Sequence, residues 1–540
     1  MTSGATFTKI AGDPVVTSLG VSSGSSWGDY DNDGFIDVYV GNDGRGEPNF
    51  LFHNNRDGTF TRILDGRIVT DGKTSGGSRG CSWGDFDNDG FLDLFVSSAG
   101  NDFLYHNQGH GIFTNVTADP IVQDKRFSDG GSWADYDNDG FLDLLMTTPD
   151  AGLGGVLYRN NGDATFSTVK TNAVDLRRTA SFSSAWGDYD NDGFPDFYLV
   201  NGDVAKNILY HNNRDGTFTK VTGGATTAGG NASFGCAWGD YDNDGFLDLF
   251  VANGNLVASQ NNYLFHNNGD GTFTRVTTGS VVNDGGVSLG CAWADYDNDG
   301  FLDLFVTNSP SVNNLKRRNF LYRNRGNGTF EKIAEGSPVT DLENFISCSW
   351  ADYDNDGFMD LFVTSTGNEF LYRNNGNNNN WINIRCVGTI SNRSAIGAKV
   401  RAKAVIGGQA RWQLREISGG SGWASQNDPR AAFGLGDANI VEAVRIEWPS
   451  GTVQELQNVA ANQFLTVTEP AKLGPRLTQA NGLVELKVRS WKGFAYDVEA
   501  SSDLATWTRL TTLTNETGAL SVPDPIAGSA ATRFYRVLGR

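Results

Sequence analysis

Seven stretches of this chain place carboxylates at a spacing that can enclose a divalent cation. The first, WGDYDNDGFIDVYV, runs from Trp27 to Val40 and carries the order D-x-D-x-D-G-x-x-D. Asp29, Asp31 and Asp33 set carboxylates at alternate positions of a tight loop. Gly34 allows a turn that a residue with a Cβ would resist. The carbonyl of Phe35 is then expected to point inward, and Asp37, at the head of the next strand, to close the cage. Calcium takes about six to eight oxygens at roughly 2.3–2.6 Å, and this order matches the opening of an EF-hand loop. The closing glutamate is missing and the flanks have strand character, which excludes an EF-hand. The second and third copies offer Asp85, Asp87, Asp89, Phe91 and Asp93, then Asp135, Asp137, Asp139, Phe141 and Asp143. The fourth and fifth offer Asp188, Asp190, Asp192, Phe194 and Asp196, then Asp240, Asp242, Asp244, Phe246 and Asp248. The last two offer Asp295, Asp297, Asp299, Phe301 and Asp303, then Asp352, Asp354, Asp356, Phe358 and Asp360. The expected cofactor is Ca²⁺, about seven ions, one per copy. A reaction happens at one place, so seven near-identical sites point to ions that staple strands rather than catalyse.

The loops recur at intervals of 50 to 57 residues, a period that signals a propeller or an array. Each period reads as four strands. In the sixth these are Leu289 to Trp293 (strand A), Leu302 to Thr307 (B), Phe320 to Arg323 (C) and Thr329 to Ile333 (D). The C–D turns, such as NNRDG and NNGDG, suit positive φ. Four-stranded units around an axis make a β-propeller. The seventh unit lacks a strand D, and ATFTKI at residues 5–10 supplies one, closing the ring without an orphan edge. The fold class is therefore all-β: a seven-bladed propeller over residues 1–376, a β-rich domain over 381–470, and a small sandwich-like module over 473–540.

The net charge of −21 argues against nucleic acid as a partner. Its cause is local: the loops hold 28 of 63 acidic residues, and the +14 of seven ions would bring the charge to −7. No apolar run reaches the length of a membrane span. MTSGATFTKI does not read as a secretory leader, so the expectation is that a leader was removed or that the protein is not exported by that route.

The remaining reactive side chains have repeat-equivalent explanations. Cys81, Cys236, Cys291 and Cys348 share one position with Ser25, Gly131 and Ser184, a small buried slot. His53, His106, His211 and His266 share a strand-C position with Arg159, Arg323 and Arg373, so none stands out as a general base. GGSGW lacks the spacing of a nucleophile elbow, and FGLGDAN fails the dinucleotide fingerprint. Function is then expected where the copies differ, on the face of the B–C and D–A connections. That face gathers Lys125, Arg126, Arg177, Arg178, Lys316, Arg317 and Arg318, a candidate surface for a protein or anionic glycan.

The seven units resemble the FG-GAP/VCBS calcium repeats of integrin-α-type propellers. The segment containing AIGAKV, GGSGWASQ, FGLGDA and WPSG looks like the ASPIC/UnbV module. The two in this order resemble bacterial relatives of the cartilage acidic protein family, and the last segment resembles fibronectin-like modules of exported bacterial proteins. The resemblance implies a calcium-binding protein that is secreted, periplasmic or on the cell surface, with no enzymatic activity to carry over. It places calcium ligands on the four aspartates of each loop; Pro195, before the last ligand of the fourth, removes none. The leading expectation is non-catalytic recognition or adhesion. The alternatives are a carbohydrate-active lyase or hydrolase on a propeller scaffold and a self-assembling surface protein.

Overall fold

Each repeat becomes one antiparallel sheet because its apolar alternation has two faces to bury. In the first, Ser22–Gly28 pairs with Asp37–Asn42, which pairs with Phe50–Asn54 and then with Phe60–Ile63. Val38, Val40 and Phe52 are fully buried between this sheet and its neighbour. The same order recurs through the chain, giving seven four-stranded sheets of a β-propeller. The structure, a computed structural model, describes residues 6–539 apart from 45, 151, 171–172, 175, 177–179, 203–205, 228–231, 255–258, 310–315, 421, 475–483, 490–494, 515–518 and 525–533.

The seventh sheet takes its outer strand from the other end of the chain. Phe7–Lys9 pairs with Phe370–Asn374, with Phe7 opposite Asn374 and Lys9 opposite Tyr372. The Phe7 ring lies 5.6 Å from Tyr296 and 6.2 Å from Trp350, so the strand also fills the groove between two blades.

The tryptophan before each loop packs between blades and ties them. Trp83 donates its indole N–H to the Ser26 carbonyl at 3.2 Å, and the pattern continues to Trp350, which reaches Ala292 at 3.2 Å. Trp27 is fully buried, yet among the described residues its indole nitrogen finds no acceptor. The D–A connections add one-turn helices that a strand-only reading does not contain. Pro14–Thr17 buries Val15 and Val16, capped by Asp13, which accepts from the Val15 N–H at 2.9 Å. Arg67–Thr70, Pro120–Gln123, Ser280–Asn283 and Ser337–Thr340 repeat it with Ile68–Val69, Ile121–Val122, Val281–Val282 and Pro338–Val339 buried.

After the ring, two further sheets form the second unit. Asn380–Val387 lies between Ala431–Gly436 and a parallel Phe464–Thr468. Lys399–Ile406 lies between Gln409–Glu416 and Ile440–Glu447, with Val453–Ala460 outermost. Their apolar core is continuous with that of blades two and three. This unit sits on the face carrying the A–B loops: Arg393 N–H reaches Asn88 at 2.7 Å and Gly436 N–H reaches the Asn298 carbonyl at 2.9 Å. The last unit is a pair of three-stranded sheets, one centred on Val484–Arg489 and the other on Ala495–Ser501, meeting around Val498 and Val522.

Because the N-terminal strand both pairs and packs, Phe7→Ala is expected to cost about 2 kcal/mol, a half-buried version of the usual phenylalanine truncation. Denaturant unfolding followed by tryptophan fluorescence measures it.

Candidate metal centres

The inner strand of each blade delivers the first aspartate of its loop, and the next strand receives the last. In blade one, Asp29 folds the loop onto itself, accepting from the Asp33 N–H at 2.8 Å and the Gly34 N–H at 3.1 Å. Asp33 accepts from the Phe35 N–H at 2.8 Å, fixing the residue whose carbonyl was expected to serve as a ligand. Asp37 accepts from the Tyr30 N–H at 3.3 Å and from the Asn54 N–H at 2.8 Å, so it ties the loop to strand C. Equivalent contacts hold Phe91, Phe141, Phe194, Phe246, Phe301 and Phe358 on the third aspartate of their loops, at 2.9 to 3.1 Å.

The second aspartate is different. The inner oxygens (Oδ1) of Asp31, Asp137, Asp190, Asp297 and Asp354 are buried and have no hydrogen-bond partner. In the other two loops the same oxygen accepts only a long N–H contact, 3.2 Å for Asp87 and 3.3 Å for Asp242. A buried carboxylate oxygen without a donor is costly. The same vacancy in hydrogen bonding, repeated at the same position of the loop, is what a cation would fill. Asp29, Asp31 and Asp37 bring their oxygens within 4.8 Å of one another, close enough to share one ion. An all-oxygen set of this kind suits calcium.

Each loop also has a basic side chain of strand C beside it, whose reach to the aspartates the repeat equivalence of His and Arg did not show. His53 Nδ1 lies 3.5 Å from Asp31 and 3.3 Å from Asp37, and His106 Nε2 lies 3.1 Å from Asp87. His211 and His266 stand 3.2 and 3.3 Å from Asp196 and Asp248. Where the residue is arginine the pairing is tighter: Arg159 with Asp137 at 2.7 Å, Arg323 with Asp297 and Arg373 with Asp354 at 2.6 Å. Strand C thus brings an arginine charge to three clusters, and to the other four a histidine that the neighbouring carboxylates hold above its ordinary value. The second unit adds more, with Lys399 on Asp188, Arg385 at 3.6 Å from Asp29, and Arg430 on the Asp352 carbonyl at 2.8 Å.

The fourth residue of every loop carries a second, purely structural device. Asn32 has φ of +59°, a left-handed conformation that asparagine tolerates, and donates to the Gly90 carbonyl of the next loop at 2.8 Å. Asn88, Asn138, Asn191, Asn243 and Asn298 do the same to their successors, and Asn355 returns to Gly34 at 3.1 Å. The metal loops are thus hydrogen-bonded into a closed circle.

The basic residues on the opposite face are engaged with neighbours. Arg126 pairs with Asp124 at 2.7 Å and Lys316 with Glu343 at 2.6 Å, while Arg317 reaches Ser259 at 3.2 Å. Lys125 and Arg318 stand beside them; Arg177 and Arg178 lie outside the described residues. All five cysteines are buried and free, and burial pushes the Cys81 thiol up to about 12, which leaves it inert.

Burial, then mutual repulsion, pushes loop carboxyls upward: Asp240 to about 8, and Asp37 and Asp248 to about 7. Asp248 in turn holds His266 up at about 9. A carboxyl raised on folding favours the folded state at low pH and loses that advantage as pH rises through its folded value. A histidine raised on folding behaves alike, its contribution lost as pH climbs to about 9. Metal-free protein is therefore expected to lose stability steadily from about pH 4 to 9. Calcium uptake near pH 7 should release protons. Melting curves across pH with a chelator, and calorimetry in buffers of different ionisation heat, check both. Asn355→Ala, which opens the circle at the junction of blades seven and one, should cost about 1–2 kcal/mol in the same melts.

The repeats match the FG-GAP-like repeat over residues 29–96, 85–146, 135–199, 188–251, 252–306 and 311–363, and residues 388–474 match ASPIC and UnbV. Cartilage acidic protein 1 of Homo sapiens is 29% identical over 286 residues, 49% of this chain and 40% of that protein. Its Mus musculus counterpart is 29% identical over 280 residues, 49% of this chain and 41% of that protein. The chain thus spans about two fifths of the length of these curated relatives. Among solved structures, an Agrocybe aegerita lectin, described as recognising non-reducing terminal N-acetylglucosamine, aligns at a TM-score of 0.41 with 18% identity, covering 65% of this chain and 86% of that one. With the repeat matched over more than half its length, and an ASPIC and UnbV segment following, the chain belongs to the FG-GAP-like repeat family.

Proposed function

We propose that this protein is a calcium-stabilised recognition or adhesion protein that works outside the cytoplasm, with one Ca²⁺ in each of seven blades. The observation that carries the reading is the buried, partnerless oxygen on the second aspartate of five loops. When bound, calcium supplies positive charge and coordination to carboxylates that the chain has already gathered. Asp29, Asp31, Asp33 and Asp37 and their equivalents hold it, and the strand-C His or Arg carries part of the charge when it is absent. Sites of this kind in extracellular modules have Kd of about 10⁻⁴ to 10⁻³ M, which millimolar calcium fills and cytosolic calcium does not. A secreted, periplasmic or cell-surface setting is part of this reading, because the calcium there would fill sites of such affinity. No helix among the described residues is long and apolar enough to cross a membrane.

Recognition is assigned to the face opposite the metal loops, where the connections differ from blade to blade and Lys316, Arg317, Arg318, Lys125 and Arg126 lie. A protein or acidic glycan binding there must exchange the pairs with Glu343 and Asp124 for its own anions. The lyase or hydrolase alternative needs an open channel mouth, and Gly419, Gly422 and Gln426 bridge to the inner strands there, which speaks for the non-catalytic reading.

At about 1 mM calcium and a Kd near 10⁻⁴ M, each ion contributes about 1.4 kcal/mol, so a full set contributes on the order of 10 kcal/mol. Equilibrium dialysis is expected to count about seven ions, and a chelator to lower the melting temperature sharply; a metal-free protein with an unchanged melt refutes the reading. The ligand face is tested by Lys316→Ser, Arg317→Ser and Arg318→Ser together on an array of acidic polysaccharides. Binding should weaken, and unchanged binding counts against this surface.

A further inference from the structure

The inner strand of every propeller blade has one unpaired edge, and in this protein a single segment of the second unit meets all seven of them. On one side, the Trp133 N–H of blade three donates to the Gly419 carbonyl at 3.0 Å. Gly422 and Cys236 of blade five exchange N–H to carbonyl bonds of 2.8 and 3.2 Å, and Ser183 of blade four adds its hydroxyl to the Gly422 carbonyl at 2.6 Å. On the other side, the Gln426 N–H reaches Ser25 of blade one at 3.0 Å. Its side chain accepts from the Trp83 N–H of blade two at 2.7 Å and donates to the Trp83 carbonyl at 3.1 Å. Asn427 accepts from the Trp350 N–H of blade seven at 3.0 Å and donates to the Trp293 carbonyl of blade six at 3.5 Å.

The fit is steric as well as polar. Three residues before each blade tryptophan stand only glycines and serines: Gly24, Gly80, Gly130, Ser183, Gly235, Gly290 and Ser347. A Cβ at Gly24 would lie 1.9 Å from the Ala424 carbonyl oxygen, and one at Gly419 would lie 2.2 Å from the Trp133 carbonyl oxygen. The segment's aromatic side chain, Trp423, is 8% exposed and packs against Phe234 and Leu289, flanked by Phe182 and Ile346. Those four residues occupy equivalent positions in blades four to seven, where blades one to three carry Ser23, Arg79 and Asp129. The ring is therefore asymmetric at the place where the indole sits.

We propose that the channel of this propeller is a binding site for an extended, glycine- and serine-rich peptide carrying one indole, and that its occupant is residues 418–420 and 422–430 of the same chain. Edge-strand hydrogen bonds give the affinity, as in other strand-addition modes, and Trp423 in its apolar arc sets the orientation. The occupant pins the second unit over the metal loops. The inference stands apart from the calcium reading, since it concerns only the channel.

Hydrogen exchange on the intact, calcium-supplied protein tests it. The amides of Gly422, Gln426 and Asp428 are expected to exchange as slowly as those of the inner strands, about 100-fold or more below a free loop. Exchange at the free-loop rate overturns the proposal, with no variant needed. Trp423→Ala and Gly24→Val should each speed exchange across the segment about tenfold or more while leaving outer strands such as Phe60–Ile63 protected. Unchanged exchange in both folded variants likewise overturns it.

Discussion

A carboxylate removed from water needs a donor or a counter-charge, and each blade of this protein asks that of four carboxylates at once. In blade one, backbone N–H groups answer for the first and last aspartates: Gly34 and Asp33 for Asp29, Tyr30 and Asn54 for Asp37. A histidine or arginine from strand C answers in part for the second. What is left over, an inward oxygen on Asp31 and its equivalents, sets the requirement for metal. The loop geometry, the choice of strand-C residue and the cations arriving from the second unit all follow from that requirement.

Around this local problem the blades are joined by rings of hydrogen bonds. The asparagine in each loop binds the next loop's glycine. The asparagine ending each strand C binds the preceding blade: Asn107 reaches the Tyr30 carbonyl at 2.8 Å and Asn54 reaches Tyr353 at 2.8 Å, closing the circle. The tryptophan indoles form a third ring with one break, at Trp27. Metal loops and blade junctions therefore share residues, so a change in one loop is transmitted to its neighbour's backbone.

Seven four-stranded sheets were legible because the repeat carries its own punctuation: an Asp-Gly loop, an alternating strand, an Asn-Gly turn. The acidic clusters were legible for the same reason. The job of Asn32 was not, since an asparagine in a turn has a sufficient local explanation, and its acceptor lies in the next copy of the repeat. The strand-C cations were visible as an equivalence of His and Arg, but their reach to Asp31 or Asp137 depends on how strand C lies beside the loop. Least legible was the GGSGWASQ stretch. Its composition suggests a linker, and only the ring of glycines and serines facing it gives it a place. The one-turn helices had a signal, the buried pairs Val15–Val16 and Ile68–Val69 after strand D, that strand periodicity does not register.

The pairing of Thr8 with Asn375, 367 positions apart, bears on how the molecule is made. On a ribosome, the first strand emerges long before the edge it joins has been translated. Blades one to six can form from local contacts, but the outermost strand of the seventh must stay unpaired until Phe370–Asn374 has been made. Loop closure over such a span costs little more entropy than over half of it, about 0.6 kcal/mol per doubling, so the delay is one of timing rather than of equilibrium. Until that moment blade one presents an open flank to the seventh, at the junction where Trp27, alone of the seven tryptophans, finds no carbonyl for its indole among the described residues.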